Sequence, residues 1–300
     1  MKIITVEENE DRIDKYLLEK IEVSRSKLQK MIDNGNVLVN DKKVKNSYVV
    51  KVDDVITIDE DYQEKIDILP QKIDLDILYE DDDVLVVNKK SGMVVHPAVG
   101  HYTDTLVNAL MYHCNSLSDI NDSIRPGIVH RIDADTSGVL LVAKNNEAHI
   151  SLAKQIKEHS VKRKYIALVH GVINEDSATI DAPIGRDKNN RKKMMVTDIN
   201  SKEAITHIKV LKRFKNATLI ECNLETGRTH QIRVHMSYIN HPIVNDYVYG
   251  YKKVENKEFG QMLHAKSIGF IHPKTSKYLE FFADAPKEFY EILKQYEQQI

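Results

Sequence analysis

Cysteine is nearly absent: Cys114 and Cys222 are the whole complement in 300 residues. Two thiols build neither a disulfide framework nor a four-cysteine zinc site. No apolar run approaches the roughly 20 residues that span a bilayer. The N-terminal stretch MKIITVEENEDR lacks the apolar core and small-residue cleavage site of a secretory signal. Glycine-rich phosphate loops are missing, both the P-loop and the dinucleotide fingerprint. No Gly-x-Ser-x-Gly elbow occurs, and neither cysteine sits in a nucleophile motif. His230 and His235 are five residues apart, a spacing that does not stack them on one helix face as a metalloprotease pair requires. These absences remove the usual equipment for nucleotide hydrolysis, redox and metal chemistry. They predict a cytoplasmic protein without structural metal. No dimerisation stripe is evident, so a monomer is expected.

What is present is globular in composition, with 42% hydrophobic and 29% charged residues and length enough for roughly two domains. The net charge of −2 conceals an uneven distribution. Residues 1–52 carry +2, residues 53–83 carry −11, and the remainder carries +7. One short acidic tract therefore masks two basic flanks, a pattern that points to an anionic partner, nucleic acid first.

Residues 11–58 read as a unit of their own. Ile13, Tyr16, Leu17 and Leu18 recur at helical spacing, Ser24 suits the N-cap of a second helix over Arg25–Asp33, and Asn34-Gly35 stops it. Val37-Leu38-Val39 and Lys42–Lys45 form a hairpin turned by Asn40-Asp41, and Val55–Ile58 adds a strand. Arg25, Lys27 and Lys30 on the helix, with Lys42 and Lys43 on the hairpin, are expected to make one basic surface. The acidic tract beyond, over residues 61–76, reads as a linker to a larger domain at 77–300. Short strands follow at Val84–Asn88, Val139–Ala143, Tyr165–Val169, Ile205–Leu211 and Ala217–Glu225, with helices at Glu147–Glu158 and Lys287–Gln298. Strict alternation in the last strand favours a mixed, largely antiparallel sheet with one face covered, an α+β fold.

The stretch HRIDADTSGVLLVAK, His130–Lys144, joins a crowd of charge to an apolar strand. A carboxylate at the mouth of a core is costly unless paired. Asp133-Ala134-Asp135-Thr136-Ser137-Gly138 matches the first half of a calcium loop, but the bidentate acid needed at position 12 is Lys144, and a strand follows instead of a helix. The residues alone leave an ordinary polar turn and a catalytic acid both open.

Resemblance narrows the choice. Residues 126–138, PGIVHRIDADTSG, are very similar to the signature of the RluA/RluD family of pseudouridine synthases, which usually reads His-Arg-Leu-Asp, then Thr-Ser or Thr-Thr, then Gly. Four further matches run in order: NKKSGMVVHP at 88–97, KYIALVHG at 164–171, ETGRTHQIRVH at 225–235, and LHA with FIHP at 263–265 and 270–273. The unit at residues 11–58 resembles the S4 RNA-binding domain, a likeness carried by Ser24-Arg25-Ser26-Lys27-Leu28 and Asn36-Val37-Leu38-Val39-Asn40. The likeness departs at Ile132, a conservative swap, at Lys90-Ser91 where many members have proline, and at Tyr247 where the family often has proline.

The resemblance implies isomerisation of uridine to pseudouridine within RNA, without cofactor or metal, with large-subunit ribosomal RNA as the leading substrate, and transfer RNA as substrate or a catalytically inactive RNA-binding relative as the alternatives. It implies Asp133 as the catalytic carboxylate, Arg228 as its ion-pair partner, and Tyr165 as a ring against the target uracil. Arg131 matches an arginine that fills the space a flipped base vacates, or else contacts a phosphate. His130 is expected to satisfy backbone hydrogen bonds. Lys162-Arg163-Lys164 and Arg191-Lys192-Lys193 are candidate phosphate contacts.

Overall fold

A computed structural model describes residues 1–7, 11–21, 23, 25–59, 68–98, 101–120, 125–190, 193–251 and 259–298. It divides into two units, Met1–Lys65 and Ile66–Ile300, each with its own apolar core.

In the first unit, strand β1 (Lys2–Thr5) precedes helices α1 (Ile13–Leu18) and α2 (Arg25–Asn34). Strands β2 (Val37–Val39), β3 (Lys42–Lys43) and β4 (Val55–Ile58) complete a four-stranded antiparallel sheet ordered β1-β4-β2-β3. Ile13, Leu17, Leu28 and Ile32, at helical spacing, are buried against Val37, Ile56 and Ile58. Asn40 and Asp41 both adopt positive φ, the twist a two-residue hairpin needs. Gly35, at φ +83°, ends α2 as expected. The Ser24 cap lies outside the described residues, and β1 escaped the sequence reading because it is a strand only through its pairing with β4.

The second unit begins earlier than its sequence suggested. Residues 61–67 of the expected linker lie outside the described residues. Residues 68–76 already belong to this unit: Ile68 is buried in its core, and Leu69 and Gln71 bond to Asn108 through the backbone. The elements then run β5 (Asp76–Glu80), β6 (Val84–Lys89), α3 (Leu106–His113), β7 (Ser137–Ala143), α4 (Asn146–Lys157), β8 (Lys162–His170) and β9 (Ser177–Asp181). They continue with β10 (Ile184–Arg186), β11 (Met194–Val196), β12 (Ile205–Arg213), β13 (Ala217–Leu224), α5 (Gln231–Tyr238), β14 (Leu263–Ile271), β15 (Tyr278–Phe282) and α6 (Lys287–Glu297).

Nine strands form one sheet in the order β5-β6-β7-β14-β8-β13-β12-β9, with β15 paired to β14. All its described pairings are antiparallel except β7–β14. The α+β, largely antiparallel expectation therefore holds. β7 is buried along its whole length, which explains its unbroken apolar run. At its start Gly138 sits at φ +114°, where a Cβ would lie 2.2 Å from the Ala265 carbonyl oxygen. Only glycine lets the two backbones meet there, and that close approach anchors the loop carrying Asp133.

Candidate active site

Asp133 lies in the loop that feeds β7, and five side chains hold that loop. Buried Lys89, at the end of β6, donates through Nζ to the carbonyls of Lys90, Met93 and Ala134 at 2.7–2.8 Å. Three acceptors take the full complement of ammonium protons, while burial pushes its pKa down to about 7 against the opposing charges of Asp135 and Asp133. Ser91 Oγ donates to the Asp135 carbonyl at 2.9 Å, which ties the loop down. Gln261 Nε2 donates to Thr136 Oγ1, and Ser137 Oγ bonds His264 Nδ1. His130 Nε2 accepts the backbone N–H of Leu141, the structural part expected of it. Burial, then the charge of Arg163, depresses its pKa to about 3.

The guanidinium paired with Asp133 is Arg233, not Arg228. Arg233 Nη1 reaches Asp133 Oδ2 at 2.8 Å. Its Nε and Nη2 fork onto Asp246 at 2.6 and 2.9 Å. Burial alone would lower the Arg233 pKa, but Asp246 and then Asp133 outweigh it and leave it raised. Arg228 lines the same cavity, yet its Nε donates to the Glu203 carbonyl at 2.7 Å. The physical reason is local. His230 takes a left-handed conformation (φ +58°) that starts α5. The helix then turns Arg233 inward among buried Ile232, Val234 and Met236, while Arg228 stays in the preceding turn. A helix read over residues 231–238 would have revealed this, and it was the missing signal.

Tyr165 is buried on β8 beside Cys222 and Ala265, and its ring lines the cavity. Burial raises its phenol pKa. His230 Nε2 stands 3.8 Å from Asp133 Oδ1, with Nδ1 on the Tyr249 hydroxyl. The cavity encloses about 440 Å³, and exposed Arg131 stands on its wall. Among the described residues Arg131, Lys157, Arg163, Arg228 and Arg233 line it, against Asp133 as the one acid. A cleft of that charge suits a polyanion.

Elsewhere the expected contacts divide. In the first unit Lys27, Lys42 and Lys43 are exposed and Lys30 is half-buried. Arg25 has a partner within the fold: its Nη2 donates to buried Asp14 at 3.2 Å, alongside Arg12 and Gln29. Arg191 and Lys192 lie outside the described residues. Asp81, Asp83 and His272 cluster closely enough to suggest a metal. These atoms already have partners: Asp81 accepts from the Asp83 and Val84 backbone N–H groups, Tyr79 and His272, His272 Nδ1 accepts from Lys274 and Thr275, and Asp83 Oδ1 accepts from Asn145 Nδ2. The cluster ties two turns together.

Residues 11–56 match the S4 domain, and residues 83–238 match the family described as RNA pseudouridylate synthase. An uncharacterized RNA pseudouridine synthase of Bacillus subtilis, YlyB, is 53% identical over 96% of this chain and 95% of its own. Ribosomal large subunit pseudouridine synthase D of Zymomonas mobilis is 46% identical over 94% and 93%. The solved structure of Human RNA Pseudouridylate Synthase Domain Containing 1 superposes with a TM-score of 0.58 at 31% identity, covering 71% of this chain and 84% of that one. Fold, basic cleft and relatives together define an isomerase that modifies RNA. The chain belongs to the RNA pseudouridylate synthase family, with an S4 domain ahead of its catalytic unit.

Proposed function

We propose that the enzyme isomerises uridines of large-subunit ribosomal RNA, in the cytoplasm, with Asp133 as its single catalytic carboxylate and no cofactor. The bond from C1′ to N1 breaks, the uracil turns over and C5 bonds to C1′. The hydrogen on C5 leaves to solvent and N1 gains one, so the product is an isomer. Nothing is oxidised and no water is consumed, so one carboxylate, attacking C1′ or taking the proton from C2′, suffices where a glycosidase needs two.

The observation that carries this reading is Asp133 itself, the one acid beside five cations among the described residues of the cleft. Arg233 offsets the cost of burying it and fixes which oxygen faces the substrate. Tyr165 offers a ring for the flipped uracil to stack on. Arg131, exposed at the cavity wall, fills the stack the base leaves, and Arg228 meets the RNA beside it. The exposed lysines Lys27, Lys42 and Lys43 of the S4 domain, with Lys30 and Arg25 beside them, hold RNA outside the catalytic unit. The ribosomal assignment draws on relatives named ribosomal large subunit pseudouridine synthase D.

The test is tritium release from transcribed large-subunit ribosomal RNA labelled at C5 of uridine, which the new carbon–carbon bond must expel. Release by the intact enzyme and none by Asp133→Asn is expected. Equal release from both would place the chemistry elsewhere. Release from transfer RNA alone would change the substrate.

A further inference from the structure

A second cavity of about 490 Å³ adjoins the one around Asp133, and the two share His159, Arg163 and Leu224. It lies at the start of β8 and the end of β13, where its lining takes residues from both faces of the sheet. Cross-strand register sets Lys164 beside Asn223, Asn223 beside His207, and Lys162 beside Gly269, which neighbours Glu280. Alternation along β8 thus sends Lys162 and Lys164 to one face and Arg163 to the other, the catalytic side.

Some lysines elsewhere in the fold are ion-paired. Lys15, Lys144, Lys154, Lys212, Lys266 and Lys287 each hold a carboxylate. Among the described residues Lys162 and Lys164 hold none, although they line a cavity. Arg163, 8% exposed, forms the wall between the cavities. Its Nη2 donates to the Glu225 carbonyl at 3.2 Å, and its Nε has no partner among the described residues. Among the described residues no carboxylate offsets its charge, and burial, joined by the neighbouring charge of Arg228, outweighs Tyr165 and lowers its pKa. Gly227 makes the position possible, since a Cβ there would lie 2.4 Å from Arg163 Nη1. A buried guanidinium beside a second arginine is unfavourable in the empty protein unless an anion arrives.

We propose that this wall is a phosphate subsite. The phosphodiester joining the target uridine to its neighbour lies across Arg163, with Arg228 on the catalytic side and Lys162 and Lys164 on the outer side. The neighbouring nucleotide occupies the second cavity, whose volume suits one nucleotide. Tyr278, half exposed on β15, gives that base a ring to stack on. In its lining Glu225 Oε1 is bonded to His207 Nε2 at 2.7 Å and Glu280 Oε1 accepts from Ser267 Oγ at 3.4 Å, and their second oxygens accept from exocyclic amines. The assignment rests on the RNA substrate proposed above.

The experiment measures KM and kcat by tritium release from the labelled large-subunit ribosomal transcript across a series of salt concentrations. Lys162→Gln combined with Lys164→Gln is expected to raise KM about tenfold with kcat within about twofold, and to lower the salt slope by about one. Lys212→Gln with Lys287→Gln removes the same charge far from the cavities and is expected to leave all three values unchanged. Arg163→Gln is expected to raise KM further, with thermal melting to show that it folds. Unchanged KM and slope in the Lys162/Lys164 pair would overturn the subsite, as would equal effects in both pairs. Silence from the intact enzyme would instead overturn the substrate reading, and the subsite with it.

Discussion

Replacing Arg233 by methionine separates its structural work from its catalytic work. Asp246 is 1% exposed and takes four hydrogen bonds: two from Arg233, one each from the backbone N–H groups of Val248 and Tyr249. Removing the guanidinium leaves that carboxylate buried, charged and half satisfied, which costs about 3–5 kcal/mol. For a unit of this size the melting temperature should fall by roughly 10 °C. Adding Asp246→Asn removes the stranded charge while keeping an oxygen for Val248 and Tyr249. The double variant should therefore recover about 2 kcal/mol, a non-additivity that thermal denaturation reads directly. Activity should not follow. Asp133 still lacks the Nη1 contact at 2.8 Å, so tritium release should stay about a hundredfold down in both variants. A double variant as unstable as the single one would mean that Arg233 does not offset the Asp246 charge. Recovered activity in the double variant would mean that Arg233 does not orient Asp133.

Lys89→Met should strand three carbonyls and cost about 3 kcal/mol, with a fall in kcat because Ala134 adjoins Asp133; denaturant unfolding and single-turnover release check the two effects. Burial would raise the Asp81 pKa, but bonds from Val84, Tyr79, Asp83 and His272 lower it from 3.8 to about 2. A depressed carboxyl stabilises the fold above its unfolded value and loses that contribution as pH falls through its folded value. Asp81→Asn should therefore cost about 2 kcal/mol at neutral pH, a difference that closes between pH 3.8 and about 2 in acid-unfolding curves. Deleting residues 1–65 should leave the catalytic unit folded, since the two cores share no residue, while affinity for the labelled transcript drops about tenfold. Undiminished affinity would refute RNA binding by the S4 domain.

The sequence by itself determined whatever depends on neighbours along the chain. Alternation in Ala217–Leu224, the Asn40-Asp41 turn, the apolar spacing of Ile13 and Leu17 and the crowding around Asp133 are local, and each is legible because pleat, turn and helix impose their own periods. Helix α3 was missed although Thr105 and Asn108 form a capping box, because five consecutive positions, Leu106–Leu110, are buried and leave no amphipathic period to read. Tertiary structure alone decided the rest. Asp133 and Arg233 are 100 residues apart, and choosing between Arg228 and Arg233 required the start of α5. Lys89 and Ala134 are 45 apart, and meet only because β6 and β7 pair in register. Three consecutive cations, Lys162, Arg163 and Lys164, look equivalent in the sequence. Strand pairing divides them between two faces, because side chains alternate along a strand while register decides what lies on either side.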